Sequence, residues 1–260
     1  MKTLGGARDA GGLWCARGGT GDELMVLLHG IGANATVWEP LIAHLESQGR
    51  YRWLAPDLRG HGRSVMEGSF DFAQHARDVA GLLHGETPAR VTILGHSFGG
   101  VIAAHLASGR FAFTPSRIVT HSVKLEWTES EIAKFHEIAA KPARTFATRA
   151  EAVERYLKGA GLFGLLDGES PLVDAGIIPE GTGFKVALDP RVFSAIGADL
   201  PAAFAAVKVP LRMGAGSKDP MVGHSAMQKY RTDAQIFEGL GHNPHWEAPA
   251  TIYRYATQDA

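Results

Sequence analysis

Apolar and β-branched residues gather in short unbroken runs along this chain, separated by turns rich in glycine. Leu24-Met25-Val26-Leu27-Leu28, Tyr51-Arg52-Trp53-Leu54-Ala55 and Val91-Thr92-Ile93-Leu94 are too short for helices and predict buried strands, as does 117–123. Between these runs the apolar positions change to helical spacing. Trp38, Leu41, Ile42 and Leu45 mark one buried helix face, with Thr36 placed to cap it; Phe72, His75, Ala76, Val79, Leu82 and Leu83 mark a second. A third helix, 101–107, has His105 as its one large polar group. Strands alternating with helices predict a parallel sheet covered on both faces. The glycine-rich start, with its apolar island Leu13-Trp14-Cys15-Ala16, predicts a hairpin at a sheet edge.

The alternation stops at about residue 124. From there to 207 the pattern shows helices over 131–140 and 149–157, a flexible apolar stretch Gly161-Leu162-Phe163-Gly164-Leu165-Leu166, and no strand. An insertion of that kind predicts a cap over a site. Strand periodicity resumes at 209–213 and 234–237. A helix over 225–230 has Ser225 as its N-cap candidate, and a closing helix starts at about Pro249. The division is therefore a core of 1–123 and 208–260 with a helical cap of 124–207.

Composition narrows the class. Hydrophobic residues make up 45% of 260 positions, enough for a large core, and a formal charge of −1 gives no basic footprint for nucleic acid. Cys15 is the only cysteine, which excludes an internal disulfide and fits a reducing compartment. Met1-Lys2-Thr3-Leu4-Gly5-Gly6 lacks the apolar stretch of a secretory leader, and no run approaches a membrane span. The expectation is a cytoplasmic protein acting on a small molecule, without a nucleic-acid or membrane partner; the oligomeric state is left open.

The chemistry concentrates where the strand 91–94 runs into Gly95-His96-Ser97-Phe98-Gly99-Gly100. A serine between a buried strand and a helix sits on a sharp turn that lifts its hydroxyl above the sheet, and glycines two positions to either side relieve the crowding. The helix N-terminus behind it offers free N–H groups to a developing anion.

Read in order, the loops resemble those of the α/β-hydrolase family, over nearly the whole length. His29-Gly30-Ile31-Gly32 is similar to the family's oxyanion loop, and Asp57-Leu58-Arg59-Gly60-His61-Gly62-Arg63-Ser64 to its D-x-R-G-H-G-x-S loop. Gly95 to Gly99 resembles the nucleophile elbow, Ser217-Lys218-Asp219-Pro220 the acid loop and Gly241-His242-Asn243-Pro244 the histidine loop. The resemblance implies an α/β-hydrolase fold and a serine hydrolase without cofactor. Ser97 would be its nucleophile, His242 its base and Asp219 its acid, with Glu126 as a reserve acid, and the backbone N–H groups of Ile31 and Phe98 would form the oxyanion hole. Trp127, Leu162, Phe163 and Val222 are candidate pocket residues. His242-x-x-His245 with His29 falls short of a metal site, because Glu247 is the only carboxylate close in sequence and no cysteine is near. Asp57 and Arg59 read as a loop-fixing pair, and His61, His96 and His121 as hydrogen-bonded structural histidines. The leading substrate class is a carboxylic ester of modest size with an apolar group. The alternative is C–C cleavage of a diketone-type acid, whose carboxylate would want a cation such as Lys124, Arg144 or Arg149. A cofactor-free oxygenase and a weakly catalytic ligand-binding protein are the remaining readings of the same family.

Overall fold

The computed structural model describes residues 3–197 and 199–258; Met1 and Lys2, read above as part of a non-leader, lie outside the described residues. The chain opens with the expected edge hairpin, β1 (Gly6–Arg8) against β2 (Trp14–Gly19). In β3 (Glu23–Leu28) both faces are buried. Leu24, Val26 and Leu28 enter one core cluster and Met25 and Leu27 the other, as the period of two along a strand requires. Then follow α1 (Glu39–Gln48), β4 (Tyr51–Pro56), α2 (Phe72–Leu82), β5 (Arg90–His96), α3 (Phe98–Leu106) and β6 (Arg117–His121).

Thr36 is not the cap expected of it. Asn34 accepts its N–H at 3.0 Å and caps a single 3₁₀ turn, Ala35–Trp38, that leads into α1. The asparagine side chain is short enough to reach the second N–H of the turn, so Thr36 falls inside the turn.

Between β6 and the next strand of the main sheet lie α4 (Glu129–Ala139), β7 (Thr145–Phe146), α5 (Arg149–Gly159), β8 (Ile177–Glu180), β9 (Gly183–Val186) and α6 (Leu200–Ala205). The expectation of a purely helical segment here is corrected, because β7, β9 and β8 form a small antiparallel sheet. These strands have two to four residues, too few to show a period, and Pro179 in β8 speaks against a strand. The proline is tolerated because β8 is an edge strand.

The chain returns through β10 (Leu211–Gly216), α7 (His224–Tyr230), β11 (Gln235–Phe237), α8 (Pro244–Glu247) and α9 (Pro249–Thr257). α7 starts one residue earlier than expected, so Ser225 lies in its first turn and Gly223 holds the cap position without a side chain to offer. Among the described residues the main sheet has eight strands in the order β1-β2-β4-β3-β5-β6-β10-β11, with β2 antiparallel to both of its neighbours, β1 and β4, and the other pairs parallel. Side chains of α2, α3 and α6 fill the core on one face, and those of α1, α5 and α9 on the other. No described helix is long and apolar enough to cross a membrane.

Candidate active site

Ser97 links β5 to α3 with φ +49°, in the left-handed region that a non-glycine residue rarely enters. The turn closes only because its flanks lack side chains: a Cβ on Gly99 would stand 2.1 Å from Leu28 O, and one on Gly95 would stand 2.6 Å from the Gly100 Cα. Phe98 is the first residue of α3, so its N–H has no acceptor within the helix. Ile31 lines a cavity of about 620 Å³ together with Gly30, Gly32, Ser97 and His242. The structure thus brings Ser97, His242 and the backbone of the expected oxyanion loop to one cavity.

His242 Nδ1 donates to Asp219 Oδ2 at 2.9 Å, and Asp219 Oδ1 accepts the Met221 N–H at 2.9 Å. Burial raises the Asp219 carboxyl. The bond from His242, the charge of that ring and the Met221 N–H outweigh the burial, and the net displacement is below the ordinary aspartate value. Glu126 is elsewhere, in an exposed ion pair with Lys229 at 3.0 Å. Behind the histidine loop, His96 donates Nε2–H to the His242 carbonyl at 2.9 Å.

The expected oxyanion loop is fixed from below by His29, which is fully buried. Its Nε2 accepts the Leu58 N–H at 2.9 Å, so the ring proton resides on Nδ1 and is donated to Gly30 O at 2.8 Å. Burial holds this imidazole down to about 3, so the arrangement is kept with a neutral ring. Asp57 and Arg59 do fix loops, but not as a pair. Asp57 accepts from Arg63 Nε at 2.7 Å and from the Ala35 N–H at 2.8 Å, while Arg59 Nε binds Asp78 at 2.6 Å. His61 bonds to Arg59 O at 2.9 Å, whereas His121 has no hydrogen-bond partner among the described residues on either ring nitrogen.

The pocket expectations fare unevenly. Trp127 lines a second cavity, of about 40 Å³, that adjoins Ser97. Leu162 does not reach either cavity; it is fully buried in the core beside α5. Phe163 points outward, 59% exposed, under the Lys158 ammonium at 5.0 Å. Val222 is packed in the core and touches only a separate small cleft near Glu126. The glycines flanking Leu162 and Phe163 let the chain reverse, which turns one side chain in and the next out. Periodicity missed Phe135, Ile138, Tyr156 and Met221, which line the large cavity from three elements distant in sequence.

Imidazoles do gather: His242 meets the His96 ring at 4.8 Å and His29 the His61 ring at 5.0 Å between centroids. His96, His121 and His245 place one nitrogen each within 4.8 Å of one another. The trio is fully buried and packs as rings with centroids 4.7 to 5.1 Å apart. Cys15 is not a second nucleophile: burial pushes its thiol up to about 12.

The sequence profile of the alpha/beta hydrolase family matches residues 25–254. Over 97 residues the chain is 36% identical to protein phosphatase methylesterase 1 of Bos taurus, covering 35% of this chain and 26% of that protein. Over 89 residues it is 38% identical to a pimeloyl-[acyl-carrier protein] methyl ester esterase of Pectobacterium carotovorum, covering 34% and 32%. These alignments therefore span about a third of either relative or less. The thioesterase domain from the curacin biosynthetic pathway superposes with a TM-score of 0.79 at 19% identity, over 98% of this chain and 99% of that one.

Proposed function

The chain belongs to the alpha/beta hydrolase family, and from that premise we propose that it is a serine hydrolase that cleaves a carboxylic ester of a small to medium molecule. The observation that carries the reading is the relay at the cavity floor: a carboxylate bonded to His242 Nδ1, in the cavity that Ser97 enters from a strained elbow. Asp219 keeps the proton on Nδ1, so Nε2 is free to accept the Ser97 proton as Oγ attacks the carbonyl carbon. The oxyanion is received by the N–H groups of Ile31 and Phe98. His242 returns the proton to the leaving alcohol, and a water, activated by the same ring, releases the acid and restores Ser97. The reaction needs no cofactor.

In this reading the segment 124–207 acts as the cover of the site, since Phe135, Ile138 and Tyr156 line its large cavity. The methyl-ester relatives support an ester bond over other acyl bonds. A single buried cysteine supports a cytoplasmic setting.

An active-site-directed fluorophosphonate should label the wild-type protein. Ser97→Ala should abolish labelling and lower kcat by on the order of a million-fold. Asp219→Asn should cost about 10⁴ in kcat, with Glu126→Gln close to wild type. Labelling that persists in the Ser97→Ala protein would overturn the reading.

A further inference from the structure

The space around Ser97 is divided unequally. Two cavities share Ile31, Ser97, Phe135 and Met221. The smaller, about 40 Å³, is walled by Phe72, Phe98, Trp127 and Leu200. One water occupies about 10–15 Å³ on that measure, so the chamber holds a group of about three heavy atoms at most. The larger, about 620 Å³, runs toward α5.

The wall formed by α5 is basic. Arg155 and Lys158 both line the large cavity. Lys158 is paired with Glu154, whereas Arg155 has no ion pair or hydrogen bond among the described residues. The single acid in the lining, Glu247, already accepts the Gly241 N–H at 2.8 Å. The cations that the sequence offered for a substrate carboxylate are already engaged, Lys124 among them although it lines the small chamber. Lys124 is bound to Glu131 at 2.5 Å, Arg149 to Asp174, and Arg144 lies over the Phe146 ring at 4.8 Å.

Arg155 is also held in register with the chemistry. Its helix neighbour Tyr156 accepts a hydrogen bond from Asn34, three residues beyond Ile31, at 2.9 Å. Asn243, next to His242, donates to Gly161 O at 2.8 Å and to Ala160 O at 3.3 Å. The helix that carries the guanidinium is therefore tied both to the oxyanion loop and to the histidine loop.

We propose that the substrate carries a small group on one side of its scissile carbonyl and, on the other, a chain ending in a carboxylate that Arg155 binds. This rests on the hydrolase reading above. One unengaged positive charge matches a monoanion, and the planar guanidinium matches a carboxylate with two parallel hydrogen bonds. Arg155 is then the residue that selects the substrate, without part in the bond-breaking step.

The test uses two matched series of graded chain length. One sets monomethyl esters of linear dicarboxylic acids against methyl alkanoates; the other sets acetyl esters of ω-hydroxy acids against acetyl esters of simple alcohols. In one series the anionic member should exceed its neutral counterpart about tenfold or more in kcat/KM at the best length, and less so at high ionic strength. Arg155→Gln should remove the excess through KM with kcat little changed and with fluorophosphonate labelling intact; Arg155→Lys should keep part of it. Enlarging the small group to a butyl chain should lower turnover at least about tenfold. Calorimetry on the Ser97→Ala protein reads the same preference as binding of the uncleaved esters. Equal rates and equal binding for anionic and neutral members in both series overturn the proposal, as does a preference that survives Arg155→Gln. Failure of the hydrolase reading is distinguishable, because it abolishes turnover of every ester and leaves the Arg155-dependent binding preference in place.

Discussion

The helices α4 and α5 lie in the same inserted segment and start alike. Each has eleven residues and a reciprocal cap, Thr128 with Glu131 and Thr148 with Glu151. They end up in different physical situations. α5 buries Ala152, Val153, Tyr156 and Leu157 and is bonded to Asn34 and Asn243 through its Tyr156 hydroxyl and the carbonyls at its C-terminal end. α4 has no fully buried residue and leans on the protein through half-buried rings: Phe135 stacks on Phe193 at 5.4 Å and meets Trp127 edge-on at 5.1 Å. Local sequence makes both helices, but only tertiary contacts make one of them part of the core. α5 is thus a wall of the cavity tied to the core, and α4 lines the cavity without a fully buried residue of its own. Local opening free energies follow buried contact and not helical propensity.

The largest way to break the comparison is acid. The chain that continues from β9 docks on the loop of His61, where the Gly62 N–H reaches Ala187 O at 2.7 Å. Below that loop His29, His61 and His75 are fully buried, and burial holds each to about 3. Their folded values are depressed, so the unfolded chain binds more protons as pH falls below the free histidine value of about 6.5. The contribution of these three rings is complete above that pH and falls by about 4 kcal/mol per pH unit below it, at about 1.4 for each ring; His96, His105, His121 and His245, also lowered by burial, act in the same direction. Set against a typical total of about 5–15 kcal/mol, this predicts unfolding before about pH 4. The depressed Asp219 carboxyl adds to the loss only at the acid end of that range. Tm measured across pH should be flat above neutrality and drop steeply in the acid limb, with α5 and the core losing hydrogen-exchange protection together. A Tm that stays level down to about pH 4.5 would mean these rings take up protons without unfolding.

Truncation should separate the helices next. Leu157→Ala on α5, at a side chain 5% exposed, should cost about 2–5 kcal/mol in denaturant unfolding. Ile132→Ala on α4, half-buried, should stay within about 1 kcal/mol. Equal costs would show that α4 is as firmly seated as α5.

The smallest effect sharpens the point most. Thr148→Ala and Thr128→Ala remove the same kind of cap, and each should weaken its own helix by about 1 kcal/mol. On α5 that loss should appear in global stability. On α4 it should appear only as faster hydrogen exchange over Glu129–Ala139, with Tm unmoved. If Thr128→Ala lowers Tm as much as Thr148→Ala, α4 unfolds with the core and the contrast fails.

The candidate loops were legible along the chain because each is bracketed by elements with a clear period. Ser97 stands between a buried run and a helix, and His242 follows a strand with a glycine before it. Asp219 was legible as a candidate beside Glu126; the structure sets Asp219 Oδ2 2.9 Å from His242 Nδ1 and pairs Glu126 with Lys229. The pocket was not legible. Leu162 and Phe163 are neighbours of the same apolar character, and one is in the core while the other faces solvent. A flexible loop has no period to say which side is in.

By itself the sequence determined the alternation of strands and helices, the order of the loops and the residue types able to move a proton or attack a carbonyl. Those properties are local, since burial on both faces dictates an unbroken apolar run, and a strained turn dictates small neighbours. Only the tertiary structure decided that β7, β8 and β9 pair, that α5 is anchored to Asn34 and Asn243 while α4 is not, and that Arg155 stands unengaged in the wall of the large cavity. These facts depend on contacts between residues far apart in the chain, and a backbone or charge left unpaired by its neighbours in sequence takes whatever partner the fold brings to it.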